Sequence, residues 1–214
     1  ERYGMTEIGM ALSNPYRGER RPGTVGMPLP GVDLRLKSES GQCHRNECEP
    51  GEIQVRGANV FCEYWNRPQA TAESFDDGWF RTGDMAVIEL GYYRILGRLS
   101  VDIIKSGGYK LSALEIEATL LEHPSIAECA VVSLPDKTWG EVVTAVAVLK
   151  PDTILDTVTL RAWCKDRISS YKIPHHLLVV DELPRNAMGK VMKPAVQSLA
   201  ANAILKEQSQ RNEK

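Results

Sequence analysis

Four short stretches set ionisable and hydroxyl side chains beside glycine, and they hold most of the chemistry this sequence could perform. "YGMTE" (residues 3–7) places an aromatic ring, a flexible glycine, a hydroxyl and a carboxylate within five positions. Thr6 could meet a phosphate oxygen. Glu7 could hold Mg²⁺, which takes few protein oxygens and fills its shell with water and substrate phosphates. The same residues also read as a loop leading into a helix. "GWFRTGD" (78–84) ends in Asp84 after a Thr-Gly turn. A carboxylate there can accept hydrogen bonds from both hydroxyls of a ribose, or bond its own backbone as turn aspartates do. "GRLSVDIIKSGGYK" (97–110) carries Arg98 and then Lys105 ahead of two glycines, whose backbone freedom admits close approach of a ligand. A lysine snorkelling from a strand end is the plainer account of Lys105. "PRNAMGK" (184–190) offers Lys190 after a glycine. It is not a Walker phosphate loop, because no glycine stands five residues before Gly189, and no GxGxxG occurs elsewhere.

Bulk properties narrow the ligand. The 214 residues carry 26 basic and 28 acidic side chains, a net charge of -2. That balance gives no electrostatic reason to expect nucleic acid or an anionic membrane as the main partner. A small molecule is the expected ligand. No apolar run approaches the ~18 residues of a membrane span. The five cysteines, an odd number without CxxC spacing, fit a reducing compartment. Cys43, His44 and Cys48 cluster, but in a polar loop without a second ligand pair, so zinc is not expected. The chain begins Glu1-Arg2-Tyr3-Gly4, with neither an initiator methionine nor a signal-peptide pattern, and reads as starting in the middle of something.

The elements that must position these stretches fall into two groups. Residues 1–97 read as strands and turns: "GEIQVRG" alternates apolar and polar residues, and "MAVIELGYYRILG" reads as two strands around Gly91. Between them lies a long polar loop, and a short helix is expected after Pro68. From about residue 101 helix and strand alternate. Ser112 and Glu115 have capping-box spacing for a helix reaching His123, with Ala113, Ile116 and Leu120 as its apolar stripe. Strands "AECAVVSL" and "EVVTAVAVLK" are expected around a turn containing Pro135-Asp136, followed by a helix over 157–169, the strand "HLLVVDEL" and a last helix. The expected fold class is α/β (α+β), with a β-rich piece over 1–97, a small α/β unit over 98–205 and a frayed tail over 206–214.

Order and spacing decide what single stretches leave open. "YGMTE", "GWFRTGD", "GRLSVDIIKSGGYKLSALEIE" and "PRNAMGK" resemble four successive signature motifs of the adenylate-forming acyl-CoA synthetases, the superfamily that also contains luciferases and peptide-synthetase adenylation domains. The resemblance runs from Glu1 to about Leu205. "PGTVGMPLPGV" and "PDKTWGEVVTAVAVL" look more narrowly like the malonate–CoA ligase branch, whose animal members are mitochondrial.

The resemblance implies an enzyme that joins a carboxylate to ATP as an acyl-adenylate and then passes the acyl group to coenzyme A. It implies the fold too: the β-rich end of a large domain followed by a small mobile one. By position, Lys190 matches the cation at the α-phosphate, a step in which charge builds on phosphate oxygens. Glu7 matches the Mg²⁺ carboxylate and Thr6 a phosphate-contacting hydroxyl. Tyr3, with Gly4, matches the aromatic packing on adenine, while Asp84 and Arg98 match the ribose-binding pair. Met5 matches an acyl contact. Ser100 falls at the hinge, where many relatives carry aspartate or lysine. Lys105, Ser106, Gly107, Gly108 and Tyr109 match the face presented to coenzyme A. ATP, Mg²⁺ and coenzyme A are therefore the expected cofactors and substrates, in the mitochondrial matrix or, alternatively, the cytoplasm. The family's phosphate loop precedes the first motif and is not in these residues, so the chain reads as a fragment with negligible activity alone. Malonate is the expected acid. The alternatives are a medium-chain or other short-chain acid, or a non-catalytic module on the same fold.

Overall fold

The computed structural model describes the backbone of residues 1–212 and the side chains of 1–206. The chain divides into two compact units, Glu1–Leu99 and Ser100–Lys214. The division falls two residues beyond the expected Gly97-Arg98, for a structural reason. Arg98 still pairs with Asp84 across a β-ladder of the first unit.

The first unit is almost all β. Strands β1 (Arg2–Met5), β2 (Gly9–Ser13) and β3 (Met27–Pro28) form a three-stranded sheet. β4 (Val32–Lys37), β5 (Cys43–His44), β6 (Gly51–Gly57), β7 (Phe75–Asp76), β8 (Trp79–Glu89) and β9 (Tyr92–Arg98) form a six-stranded one, with α1 (Pro68–Glu73) ahead of β7. β8 and β9 turn tightly through Leu90 and Gly91, both at positive φ, the geometry a two-residue hairpin favours. Ile8, Leu12, Leu34, Leu36, Ile53, Val55, Phe80 and Ile88 make one core. "YGMTE" is therefore one arm and the turn of a hairpin, not an entry to a helix. Asp84 lies inside an eleven-residue strand rather than after a turn. "GEIQVRG" is a strand, but Gly51 through Val55 are buried without the alternation expected of it.

The second unit is a sheet covered on both faces. β10 (Ile103–Ser106), β11 (Tyr109–Ser112), β12 (Ile126–Asp136), β13 (Gly140–Leu149) and β14 (His176–Val179) form it, with β14 parallel to β13. Val131, Val143, Ala145 and Ala147 face a core shared with α2 (Ala113–Leu120) and α3 (Thr157–Cys164). Ala130, Val132, Val142 and Val146 face the opposite core under α4 (Lys193–Asn212). Burial of both faces explains why these strands read as continuous apolar runs. The stripe Ala113, Ile116 and Leu120 is fully buried, and Ser112 Oγ accepts from the amide of Glu115 at 3.2 Å.

Several expected boundaries move. The β12–β13 turn is not at Pro135-Asp136; both residues belong to the ladder, opposite Glu141 and Gly140. Asp136 instead accepts hydrogen bonds from the amides of Thr138 and Trp139, closing the turn one step later. α2 stops at Leu120 and α3 at Cys164, and β14 ends at Val179. A frayed tail was expected from 206, yet α4 stays helical to Asn212; residues 213 and 214 lie outside the described residues. Among the described residues, no helix is long and apolar enough to cross a membrane.

Candidate functional site

In the first unit the structure brings Tyr3, Asp84 and Arg98 together. The β1–β2 ladder shifts register between Tyr3 and Gly4, and a Cβ at Gly4 would sit 2.1 Å from the carbonyl oxygen of Gly9. Only glycine permits that approach, and it fixes where Tyr3 emerges. Tyr3 and Met5 rest against the core, and the Tyr3 hydroxyl donates to Asp84 Oδ2 at 2.6 Å, across 81 residues of chain. From the other side Arg98 Nε donates to Asp84 Oδ1 at 3.0 Å. Gly83, at φ +73°, precedes Asp84, and Thr82 Oγ1 accepts from the Asp84 amide at 3.1 Å while donating to the Ile53 carbonyl at 2.8 Å.

A carboxylate as buried as Asp84 is costly unless paired, and here it is paired twice. Burial, with the adjoining carboxylate, raises the Tyr3 phenol well above its usual range, so it stays protonated as a donor. Asp84 was expected to await both ribose hydroxyls. Both of its oxygens are already engaged: Oδ2 accepts from Tyr3 and, at 3.5 Å, from Arg98 Nη2, so the second lone pair of Oδ1 is the one left for a further hydrogen bond. Thr82 went unflagged in the sequence, although its place two residues before Asp84 was the available signal.

Glu7 sits half-buried in the β1–β2 turn. Tyr64 donates its hydroxyl to Glu7 Oε1 at 2.9 Å, and the Phe61 amide donates to the Glu7 carbonyl at 2.8 Å. Asn59 Nδ2 also donates to the Ile8 carbonyl at 2.7 Å. The turn is thus stapled to residues 59–64, a segment with no motif of its own. Burial first, and Glu7 second, raise the Tyr64 phenol. Thr6 is exposed beside Glu7. Among the described residues no three His, Cys, Asp or Glu side chains group as a metal site. Cys43 and Cys48 are exposed, and His44 Nε2 lies 3.6 Å from Glu49 Oε1.

The second unit holds its lysines differently. β10 and β11 are joined by Gly107 (φ +56°) and Gly108 (φ +83°), a two-residue turn with left-handed conformation at both positions. A Cβ on Gly107 would come within 2.7 Å of the Trp139 ring. Turn geometry and this ring therefore account for the glycine pair. Lys105 is exposed opposite Lys110, and its amide donates to Glu141 Oε2 at 2.6 Å. Ser106 is buried and bridges to Gly140. Tyr109 stacks on Tyr171 with ring centroids 4.5 Å apart.

Lys190 ends a loop wound around Asn186. Asn186 Oδ1 accepts from the amides of Met188 and Lys190, each at 3.0 Å, and the Asn186 amide donates to the Lys190 carbonyl at 2.9 Å. Arg185 Nη1 donates to the Gly189 carbonyl at 2.7 Å, and its other nitrogen pairs with Glu128. The backbone under Lys190 is fixed while its side chain faces solvent. Asn186 was legible as a turn former inside "PRNAMGK". Glu128, 57 residues away, was not.

This geometry can be set beside known proteins. The family model described as AMP-binding enzyme matches residues 1–65, and the AMP-binding enzyme C-terminal domain matches 115–190. The chain is 50% identical over 213 residues to the mitochondrial malonate–CoA ligase of Bos taurus, covering 90% of this chain and 36% of that protein. It is 50% identical over 214 residues to a malonate–CoA ligase of Arabidopsis thaliana, covering 94% of this chain and 34% of the relative. Among solved structures, ATP-bound MatB from Rhodopseudomonas palustris superposes with a TM-score of 0.85 at 40% identity, over 92% of this chain and 40% of that one. The o-succinylbenzoate CoA synthetase of Bacillus subtilis, in complex with its acyl-adenylate intermediate, gives 0.82 at 37% identity, over 92% and 40%. The chain thus spans little more than a third of the length of these curated relatives. On fold, motif order and these matches together, the chain belongs to the adenylate-forming, AMP-binding enzyme superfamily.

Proposed function

We propose that this chain serves an AMP-forming carboxylate–CoA ligase whose acid is malonate, with ATP and coenzyme A as co-substrates. The observation that carries the reading is Lys190, held exposed on an Asn186-wound loop in a chain about half identical to malonate–CoA ligases. A compact ammonium on a flexible stem can follow charge as it develops on the α-phosphate, which suits the adenylation step. Asp84 and Arg98 hold the ribose and Tyr3 flanks the adenine, with Gly4 giving the ring its place. Thr6 contacts phosphate and Met5 lies toward the acyl group. Glu7 is a single half-buried carboxylate steadied by Tyr64, which fits Mg²⁺ shared with nucleotide phosphates. That ion would supply charge neutralisation at the phosphates.

Lys105 serves the thioester step, on a surface formed with Ser106, Gly107, Gly108 and Tyr109. Ser100, the first residue of the second unit, is the pivot between the two steps. The animal relatives named as mitochondrial support a mitochondrial location.

The test is pyrophosphate release by the full-length protein with ATP, Mg²⁺ and a panel of acids. Malonate is expected to give the highest kcat/KM. Octanoate matching or exceeding it would overturn the choice of acid, and no turnover with any acid would overturn the ligase reading.

A further inference from the structure

Lys193 is a side chain that local chemistry argues against. It opens the twenty-residue helix α4, where the helix dipole disfavours a cation, and its side chain is only 13% exposed. Its ammonium lies 2.5 Å from Asp102 Oδ1 and 2.7 Å from Glu117 Oε1, carboxylates that are themselves 12% and 14% exposed. Such a buried cluster is often no more stabilising than apolar residues of the same volume, so its geometry is the part to be explained.

That geometry joins three elements. Asp102 stands just before β10, and its carbonyl accepts from the amide of Ala113 at the start of α2 at 2.8 Å. Glu117 lies on α2, and its Oε1 also accepts from the Val131 amide of β12 at 2.7 Å. Lys193 starts α4. The spacing to the reactive lysines is symmetrical: Asp102 is three residues before Lys105, and Lys193 is three residues after Lys190. Three residues of chain reach at most about 11 Å. The cluster therefore grips each lysine-bearing segment at its root.

We infer that Asp102, Glu117 and Lys193 form an ionic clamp that positions the Lys190 loop and the Lys105 hairpin as one rigid piece. Lys193 is then a positioning residue for Lys190.

The test uses the full-length protein. Lys193→Met is expected to raise amide exchange at Met188 and Lys190 about tenfold or more, with the β12–β13 ladder unchanged. Lys193→Arg, which keeps the cation, is expected to restore most of the protection. If Lys193→Met alone fails to fold, the charge-free combination D102N/E117Q/K193M removes the unpaired buried carboxylates and is read in the same way. Unchanged exchange at Met188 and Lys190, or a rise shared equally by the ladder, overturns the clamp. The activity arm rests on the ligase reading: Lys193→Met should lower kcat for adenylation while leaving KM for ATP in place. The exchange arm stands whether or not the protein is a ligase, so the two ideas fail separately.

Discussion

Tyr3, Asp84 and Arg98 in the first unit and Lys105 and Lys190 in the second are held in opposite ways. In the first, the buried Asp84 is bonded to the half-buried Tyr3 and to the exposed Arg98, and all three are held in place before any ligand arrives. In the second, Lys105 and Lys190 ride on tight backbone turns but extend their side chains toward solvent. A group that recognises a fixed shape gains from pre-organisation, since its ordering cost is met during folding. A cation in the place of Lys190 that is to follow moving charge gains from a flexible stem on a firm base. The contrast teaches that backbone position is built at both sets of residues, while the Lys190 side chain is left in solvent.

The sharpest way to break this contrast is at Lys190. Lys190→Ala in the full-length protein should reduce pyrophosphate exchange by about a hundredfold or more, with the melting temperature nearly unmoved. Exchange that survives would remove the catalytic assignment. Lys105→Ala should likewise spare stability, but slow thioester formation and not adenylation.

Substitutions in the first unit should act on folding instead. Gly4→Ala forces a methyl group against the Gly9 carbonyl, and chemical denaturation should show a loss of about 3 kcal/mol, the top of the overpacking range. Asp84→Ala strands the Tyr3 hydroxyl and removes the Arg98 partner. A loss of about 2 kcal/mol is expected, together with weaker nucleotide binding in calorimetry. If Asp84→Ala were as stable as the parent, the idea of a pre-built first-unit site would fail.

The smallest effect is a pH dependence of the second unit. Burial depresses the pKa of both His123 and His175, so each is neutral when folded and binds a proton more readily when unfolded. Their contribution is complete above the unfolded value near 6.5 and is lost as pH falls through and below it. Replacing both with glutamine should flatten the melting temperature between about pH 7 and 5. An unchanged slope would show that other groups set it.

Legibility followed range. The α2 stripe was plain because Ala113, Ile116 and Leu120 repeat at helical spacing, and the Leu90-Gly91 hairpin because turn residues sit between apolar runs. The turn after β12 was misplaced because Pro135 reads as a breaker, whereas in the structure it occupies a ladder position with Asp136 closing the turn behind it. "YGMTE" was legible as chemistry and not as a hairpin, since its partner strand is defined by the close approach of Gly4 to Gly9. Tyr64 on Glu7 and Glu128 beside Arg185 were invisible: 57 residues separate each pair, and nothing local marks them.

By itself the sequence determined the four motifs, their order, the change of character near residue 100 and hence the superfamily. These depend on residue type and spacing along the chain, which folding does not alter. Only the tertiary structure decided that Asp84 is already held by Tyr3 and Arg98, that Glu7 leans on Tyr64, and that Lys193 is buried between Asp102 and Glu117. Each of these is a pairing of polar groups across distant segments. Such pairs form because burial makes an unpartnered charge or hydroxyl costly, and the partner is chosen by which strands and helices the fold brings side by side.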